Sequence, residues 1–517
     1  MAAVVTEQFR IANASNFVDS VVSNNNSYYV FLGLVNPGSV GFGRTTDWNT
    51  DVPNPTDNLQ YSGHYRDTAL FGKKITTSNI KRIIRKVTWA ANTSYDMYRH
   101  DYNISNPTPN SNSSRLYDSN YYVINSDYRV YICIDNGSSG QIPKGNKSQD
   151  EPTFTDLEPS AAGVSGDGYI WKYLFSVSPS DIVKFDSTEY VVVPNNWETS
   201  TDSQIISVRE SGDSSINFNQ IKKVYIENGG SGYNSGTSAT KNVDILGDGS
   251  GGKVSITTTN GVVTSAVVTS GGSGYTWGVV DLGSIQPSPL SSPAKLIPII
   301  PPSRGHGYNI YSELGTDKVL VYARFDDSTK DFPTDTKFAQ IGIVKNPTTF
   351  TSNNIFTENQ YSSLYAIGIT TTFSGIPSIG EQITQVRTDQ KVAKGYVASY
   401  DTETKVLKYF RDRSLYFGNS ENETDYDNVT SDSNVYDFQS DGQNIIGNSF
   451  TASINTTLND NKIIIGGKVV DLGATFRSGL ANPEINKKTG DIIYIDNRPL
   501  VVRDIRQKED VKIILEF

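Results

Sequence analysis

The chain of 517 residues has little of what catalysis, metal binding or export draws on. Its one cysteine, Cys133, excludes an internal disulfide framework, and the setting Val130–Tyr131–Ile132–Cys133–Ile134 predicts a thiol buried as a small hydrophobe. The three histidines, His64, His100 and His306, lie far apart and share no metal-ligand spacing. A His-Glu-x-x-His helix, a nucleophile elbow and a phosphate loop are all missing. No metal, cofactor or small-molecule ligand is therefore expected, and no residue is singled out as catalytic. Charged residues make up only 19% of the chain, and Lys+Arg 45 against Asp+Glu 55 leaves a net −10, which argues against a nucleic-acid partner. Met1–Val5 lacks a basic start followed by an apolar run, and no stretch approaches the roughly 18 consecutive apolar residues of a membrane helix. The expectation is a chain neither exported by a conventional signal nor inserted in a membrane.

What the chain has in quantity is aromatic and turn chemistry. It carries 30 Tyr, 21 Phe, 5 Trp and 43 Gly, which with abundant Asn, Ser and Thr suits turn-rich β-structure and not disorder. The densest aromatic stretch is Gly166–Asp167–Gly168–Tyr169–Ile170–Trp171–Lys172–Tyr173–Leu174–Phe175. Alternation puts Tyr169, Trp171, Tyr173 and Phe175 on one face and Ile170, Lys172 and Leu174 on the other, the pattern of a strand packed on both sides. Ser178–Pro179 is a helix-start pair, a capping hydroxyl before a ring that needs no N–H, so a helical turn is predicted over Asp181–Phe185, followed by a strand at Tyr190–Val193.

Four collinear segments carry a resemblance. The GDGY-x-W-x-YLF strand leading to Glu189–Tyr190–Val191–Val192–Val193–Pro194 is one. The others are Phe42–Gly43–Arg44 with Trp48 and Pro53–Asn54–Pro55–Thr56–Asp57, then Phe338–Ala339–Gln340–Ile341–Gly342–Ile343 before Asn346–Pro347, then Ile493–Tyr494–Ile495–Asp496–Asn497–Arg498–Pro499. Together they resemble the baseplate wedge subunit of T-even-like contractile-tailed bacteriophages, the gene product eight family. The resemblance implies a virion structural protein of the tail baseplate, assembled in the host cytoplasm. It further implies a homodimer that contacts other baseplate wedge proteins and takes part in triggering contraction. It also places the C-terminal strand beside the Ile492–Ile495 strand, with a turn at Asn497–Arg498–Pro499.

Length suggests about three domains. The fold class expected is mainly β: a multi-layer antiparallel β-sandwich core with few short helices and two inserted small β domains. The core is assigned to 1–200, 301–350 and 485–517. The first insert, 201–300, contains a duplication in which Val224–Tyr225–Ile226–Glu227–Asn228–Gly229–Gly230–Ser231–Gly232–Tyr233 recurs 42 residues later, ending in Gly271–Gly272–Ser273–Gly274–Tyr275. Each copy predicts a strand, a glycine turn and a tyrosine lying back on the sheet. The second insert, 351–484, is a barrel-like series of short strands that includes the acidic excursion Asn419–Asp441. Elsewhere a first helix is expected over Ala12–Val22 and strands at Tyr28–Leu34 and Val319–Phe325.

Three motifs could carry chemistry and are weighed against plainer readings. Ile80, Ile83, Ile84 and Val87 form an i, i+3, i+4, i+7 stripe with Lys81, Arg82, Arg85 and Lys86 opposite; this is either a basic partner-binding face or a solvated face beside a packed one. Gly247–Asp248–Gly249–Ser250–Gly251–Gly252 matches GxGxxG and faintly resembles a calcium-binding turn, but the strand-like Lys253–Ile256 after it predicts a hairpin. Asp425–Tyr426–Asp427 begins like an EF-hand loop and lacks its spacing. Two alternatives to a structural role stay open: a host-surface carbohydrate-binding module whose aromatic rings stack on sugars, and a polysaccharide-cleaving enzyme with a carboxylate pair.

Overall fold

The computed structural model describes residues 6–33, 52, 54–55, 65–211, 220–233, 239–285, 292–326, 336–370, 374–411, 436–503 and 507–517. It is mostly antiparallel strand with few helices, as the composition predicts. The chain divides into two compact units, one of Met1–Asn16, Lys81–Leu320 and Ile514–Phe517, the other of Phe17–Ile80 and Val321–Ile513.

In the first unit the strand Tyr169–Ser176 is interior to a four-stranded sheet, between Arg129–Asn136 and the short Ser160–Ala161, with Tyr122–Ile124 outermost. Trp171 pairs with Cys133 in register and is fully buried, as are Tyr169 and Tyr131. Trp171 stacks on Tyr169 at 5.3 Å and meets Tyr95 edge-on at 5.8 Å. The organising strand is thus where the alternation predicts it. The Ser178 hydroxyl accepts the Asp181 N–H at 3.2 Å, and Pro179 opens the helix Pro179–Phe185, whose Phe185 is buried. The Tyr190–Val193 strand leaves that sheet and pairs instead with Ile80–Arg85, Arg82 opposite Val193. So the stripe at 80–87 is a strand and not a helix: its β-branched isoleucines favour the extended chain once a partner strand is present.

The segment 220–300 buries a cluster of its own beneath the sheet Val262–Ser273, Ser250–Thr259, Ala239–Gly247 and Gly278–Val280. Both duplicated tyrosines lie back as expected and are buried in that cluster. The Tyr275 hydroxyl accepts from Gly252 N–H and donates to the Ile245 carbonyl, while that of Tyr233 accepts the Ala294 N–H. The copies differ in pairing: Val224–Asn228 joins Lys295–Pro298, whereas the second copy's strand is an edge of the four-stranded sheet. The helix Ser203–Ser211 that precedes this segment sends Val208 into the cluster around Trp171.

In the second unit Tyr28–Gly33, buried along its whole length, is the middle strand of five, flanked by Ala69–Lys74 and Lys337–Lys345. Gly342 faces Phe31 there, and a Cβ at that position would come within 2.3 Å of the ring, so the close approach requires glycine. Asp491–Val502 adds outside Lys337–Lys345 and brings two of the collinear motifs together, Gly342 opposite Ile495 and Gln340 opposite Asn497. Asn497–Arg498–Pro499 is not the expected turn. The strand runs through it with a register shift between Phe338 and Gln340, a bulge that tolerates a proline without an N–H. An eight-stranded sheet follows, from Ser374–Gly375 at one end to Leu480–Ala481 at the other, with Val397, Leu407, Tyr409 and Phe450 in its core.

The C-terminal strand Glu509–Glu516 does not pair with Ile492–Ile495, nor does it join the sheet of Tyr169–Ser176. It runs beside Lys318–Phe325: Asp510 takes Arg324 in two bonds of 2.6 and 2.8 Å, and the Phe517 N–H reaches the Asp317 carbonyl. Val511 and Ile513 are buried, and Ile514 faces out.

Two outcomes follow for stability. Trp171→Ala should cost about 3–5 kcal/mol in chemical denaturation. Trp171→Phe should cost clearly less, because the indole Nε1 has no acceptor among the described residues and no hydrogen bond is lost. Equal losses in the two variants would mean the orphaned N–H is bonded after all. Deleting the last seven residues removes buried Val511 and Ile513, so the thermal midpoint should fall; an unchanged midpoint would show that this end is not part of the packed structure.

Candidate functional site

The most concentrated polar chemistry in the first unit lies behind the organising strand. Lys172, on the face it shares with Ile170 and Leu174, is 1% exposed. Its Nζ donates to the Leu157 carbonyl and, at 2.7 Å, to Ser211 Oγ. Burial pushes its pKa down to about 8, against the pull of the Glu158 carboxylate. Glu158 takes Lys222 on Oε2 at 2.8 Å, while its Oε1 is buried with no donor among the described residues. Next to this pair Lys223 is bonded to Asp135. A cavity of about 530 Å³ opens beside them, lined by Asp135, Ser138, Ser139, Lys222, Lys223 and Ile226 among others.

These contacts tie the 220–300 segment to the sheet around Trp171. Arg99, 6% exposed, grips Asp101 through Nε and Nη2 at 2.8 and 2.6 Å and lies 4.2 Å over the ring of Tyr225. Ile300 N–H donates to His100 Nδ1 at 3.1 Å. Such an arrangement positions chain segments. A lysine so buried, with its amine spent on a carbonyl and a hydroxyl, presents no nucleophile to a substrate.

The basic stripe is likewise spent within the protein. Lys81 pairs with Asp181 at 3.1 Å and Lys86 with Asp186 at 2.6 Å. Arg82 is buried, donates to the Asn195 carbonyl and covers the Tyr311 ring at 4.2 Å. Arg85 donates to the Ser119 carbonyl and to Asn120 Oδ1, each at 2.8 Å. Of the two readings of this stripe, the partner-binding face loses its charges to neighbours already present. Beside the same strand a cavity of about 370 Å³ is lined by four basic and four acidic side chains, Arg85, Lys86, Lys318, Glu516 and Asp317 among them.

His306 and Glu313 form a buried pair, Nδ1 to Oε1 at 2.5 Å, with the Gly307 N–H on the other carboxylate oxygen and the Tyr98 ring edge-on to the imidazole at 4.8 Å. This orients the turn whose Gly307 and Tyr308 carbonyls accept the Trp197 indole N–H. His100 lies elsewhere, and His64 falls outside the described residues. Gly247–Gly252 is a hairpin turn joining Ala239–Gly247 to Ser250–Thr259, as expected. Its Asp248 carboxylate accepts from Thr276 N–H, Thr276 Oγ1 and Trp277 N–H, which holds it well below the usual carboxylate range, at about 2. Asp425–Asp427 and most of the acidic Asn419–Asp441 stretch lie outside the described residues. Among the described residues no group of three or more His, Cys, Asp or Glu could hold a metal ion. Cys133 is fully buried, which pushes its thiol well above its ordinary range.

The motifs at 338–343 and 493–499 meet in one sheet of the second unit, and the one at 166–194 supplies the core of the first. The segment at 42–48 falls outside the described residues. Lys172, Glu158, Lys222 and Arg99 are the polar residues that the sequence reading did not single out. Only Lys172 carried a signal, its place between two apolar neighbours on a packed face.

Residues 133–228 match the family model described as bacteriophage T4 Gp8. Over 220 residues the chain is 24% identical to the baseplate wedge protein gp8 of Enterobacteria phage T4, a match covering 37% of this chain and 60% of that protein. The chain thus resembles the T-even baseplate wedge subunit family.

Lys172 generates a pH prediction. Its folded pKa lies below the unfolded value near 10.5, so the unfolded chain binds more protons between about 8 and 10.5 and stability from this group rises with pH across that window. The gain should be on the order of 2–3 kcal/mol. Chemical denaturation from pH 7 to 10 should show this rise for the wild type relative to Lys172→Met. Parallel pH curves for the two proteins would show that the amine is not buried as described.

Proposed function

We propose that this chain, similar through its organising strand to a phage baseplate wedge protein, is a structural subunit of a tail baseplate wedge. The observation that carries the reading is where the match falls. Residues 133–228 include the Arg129–Asn136 and Tyr169–Ser176 strands from Cys133 onward, the cluster around Trp171 and the lysines that anchor 220–300. In this reading the protein is a homodimer in the virion tail, contacts other wedge proteins and takes part in the rearrangement that triggers contraction. It assembles in the host cytoplasm and catalyses no reaction. The core at 1–200, 301–350 and 485–517 with inserts at 201–300 and 351–484 belongs to the same proposal. It draws support from the separate clusters buried around Tyr233 and Tyr275 and around Val397 and Tyr409. No helix among the described residues is long and apolar enough to cross a membrane.

The carbohydrate-binding alternative requires a platform of exposed rings. Trp277 is 56% exposed and stands two residues before the exposed Val279, whose strand partner is the exposed Leu246. That grouping suits a protein contact better than a sugar.

The purified chain should be a dimer at micromolar concentration, with twice the 56.7 kDa chain mass in light scattering. Antibody raised against it should label the baseplate end of intact tails. A monomer would remove the dimer from the reading, and tails without label at that end would remove the reading itself.

A further inference from the structure

We propose that the outward face of the hairpin Lys462–Ile465 and Lys468–Asp471 seats the same face of a second copy of this chain. The proposal rests on the homodimer reading above and names the surface. In the hairpin Lys462 is opposite Asp471, Ile463 opposite Val470, Ile464 opposite Val469 and Ile465 opposite Lys468. Directly opposed residues share a face, so Lys462, Asp471, Ile464 and Val469 point one way and the other four the opposite way. Burial follows that division. Ile463, Ile465 and Val470 are half-buried, Ile463 against the cluster of Leu472 and Phe476, while Ile464 and Val469 are 74% and 67% exposed.

With the inner face already packed, the two β-branched aliphatics side by side on the outer face are apolar surface left in water that a partner would cover. The ribbon is also rigid where it matters. Gly466 and Gly467 hold φ of 57° and 80°, the left-handed pair of a tight hairpin turn whose twist matches the strands, so little order has to be gained on docking.

The charges identify the occupant. Lys462 and Asp471 have no ion-pair partner among the described residues; Asp471 uses Oδ1 for the Gly473 N–H. Consider a second copy facing this one across a two-fold axis that runs along the strands. Each first strand then lies over the other copy's second strand. Lys462 falls over Asp471 of the copy and Ile464 over Val469, twice by symmetry. The four-residue face is therefore complementary to itself in charge and in apolar surface, which is the requirement of an isologous two-fold contact. An unrelated acidic or basic partner would match only one of the two charges.

The test is sedimentation equilibrium of the full chain and its variants. Ile464→Asp and Val469→Asp each set a carboxylate against an apolar side chain of the copy and should each weaken the dimer at least tenfold. Lys462→Asp and Asp471→Lys should each weaken it several-fold, and the double swap Lys462→Asp with Asp471→Lys should restore wild-type affinity, since it rebuilds both pairs inverted. Circular dichroism identical to wild type establishes that the outward substitutions leave the fold alone. A dimer as tight in all five proteins as in the wild type would overturn this surface while leaving the homodimer intact. Weakening by the single reversals without rescue by the swap would overturn the pairing of Lys462 with Asp471 of the copy, and with it the self-complementary face. A wild-type chain that is monomeric at every concentration removes the homodimer reading first, and the surface with it.

Discussion

The packing of aromatic rings on the strand Tyr169–Ser176 is the constraint from which the first unit follows. Trp171 and Tyr169 lie parallel at an interplanar angle of 16°, and Tyr95 closes on both edge-on. Rings of this size contribute to stability mainly through area removed from water, and the offset and edge-on geometries add roughly 0.5–1.5 kcal/mol per pair. Their hydroxyls need partners inside, and they find backbone: Tyr169 donates to the Asn146 carbonyl and accepts the Tyr95 N–H, and Tyr121 donates to the Glu313 carbonyl. A tyrosine core is therefore also a set of ties between loops and sheet. It explains how a chain only 36% hydrophobic builds a dense interior.

Local patterns were legible and pairings were not. The alternation at 169–175, the Ser178–Pro179 cap and the twin GGSGY turns each act within a few residues, and each appears as expected. The basic stripe at 80–87 had helical spacing by coincidence. What decides between helix and strand there is Tyr190–Val193, about a hundred residues away in the chain, and no local window contains it. The same reason defeats the placement of the C-terminus. Glu509–Glu516 has two apolar-rich strands to choose between, and the choice is made partly by Arg324, whose guanidinium meets Asp510. Asn497–Arg498–Pro499 has turn composition, yet a bulge accommodates it because Asn497 can bond Gln340 across the sheet at 2.8 Å. The polar cluster behind the organising strand was hidden for a further reason: Glu158, Lys172 and Lys222 are distant in sequence, and only Lys172 betrays burial by its neighbours.

Magnitudes decide what the buried charges do. Lys222 and Glu158 have side chains 5% and 20% exposed, and the desolvation of such a pair offsets most of its attraction, so its net contribution to stability is small. Breaking it by removing one partner is still costly, because the other charge is left buried alone. The consequence is directional. The pairs Lys222–Glu158 and Lys223–Asp135, with Arg99 over Tyr225, make one placement of the 220–300 segment on the sheet far better than any other, without making either part much more stable. For a protein proposed to hold neighbours in a fixed geometry, that distinction matters. A hydrophobic seam of equal area would tolerate sliding by a residue, whereas two ion pairs and a stacked guanidinium do not. Charges used in this way are held by neighbours within the protein, which is why the basic stretch at 81–86 that stands out in the sequence belongs to internal positioning.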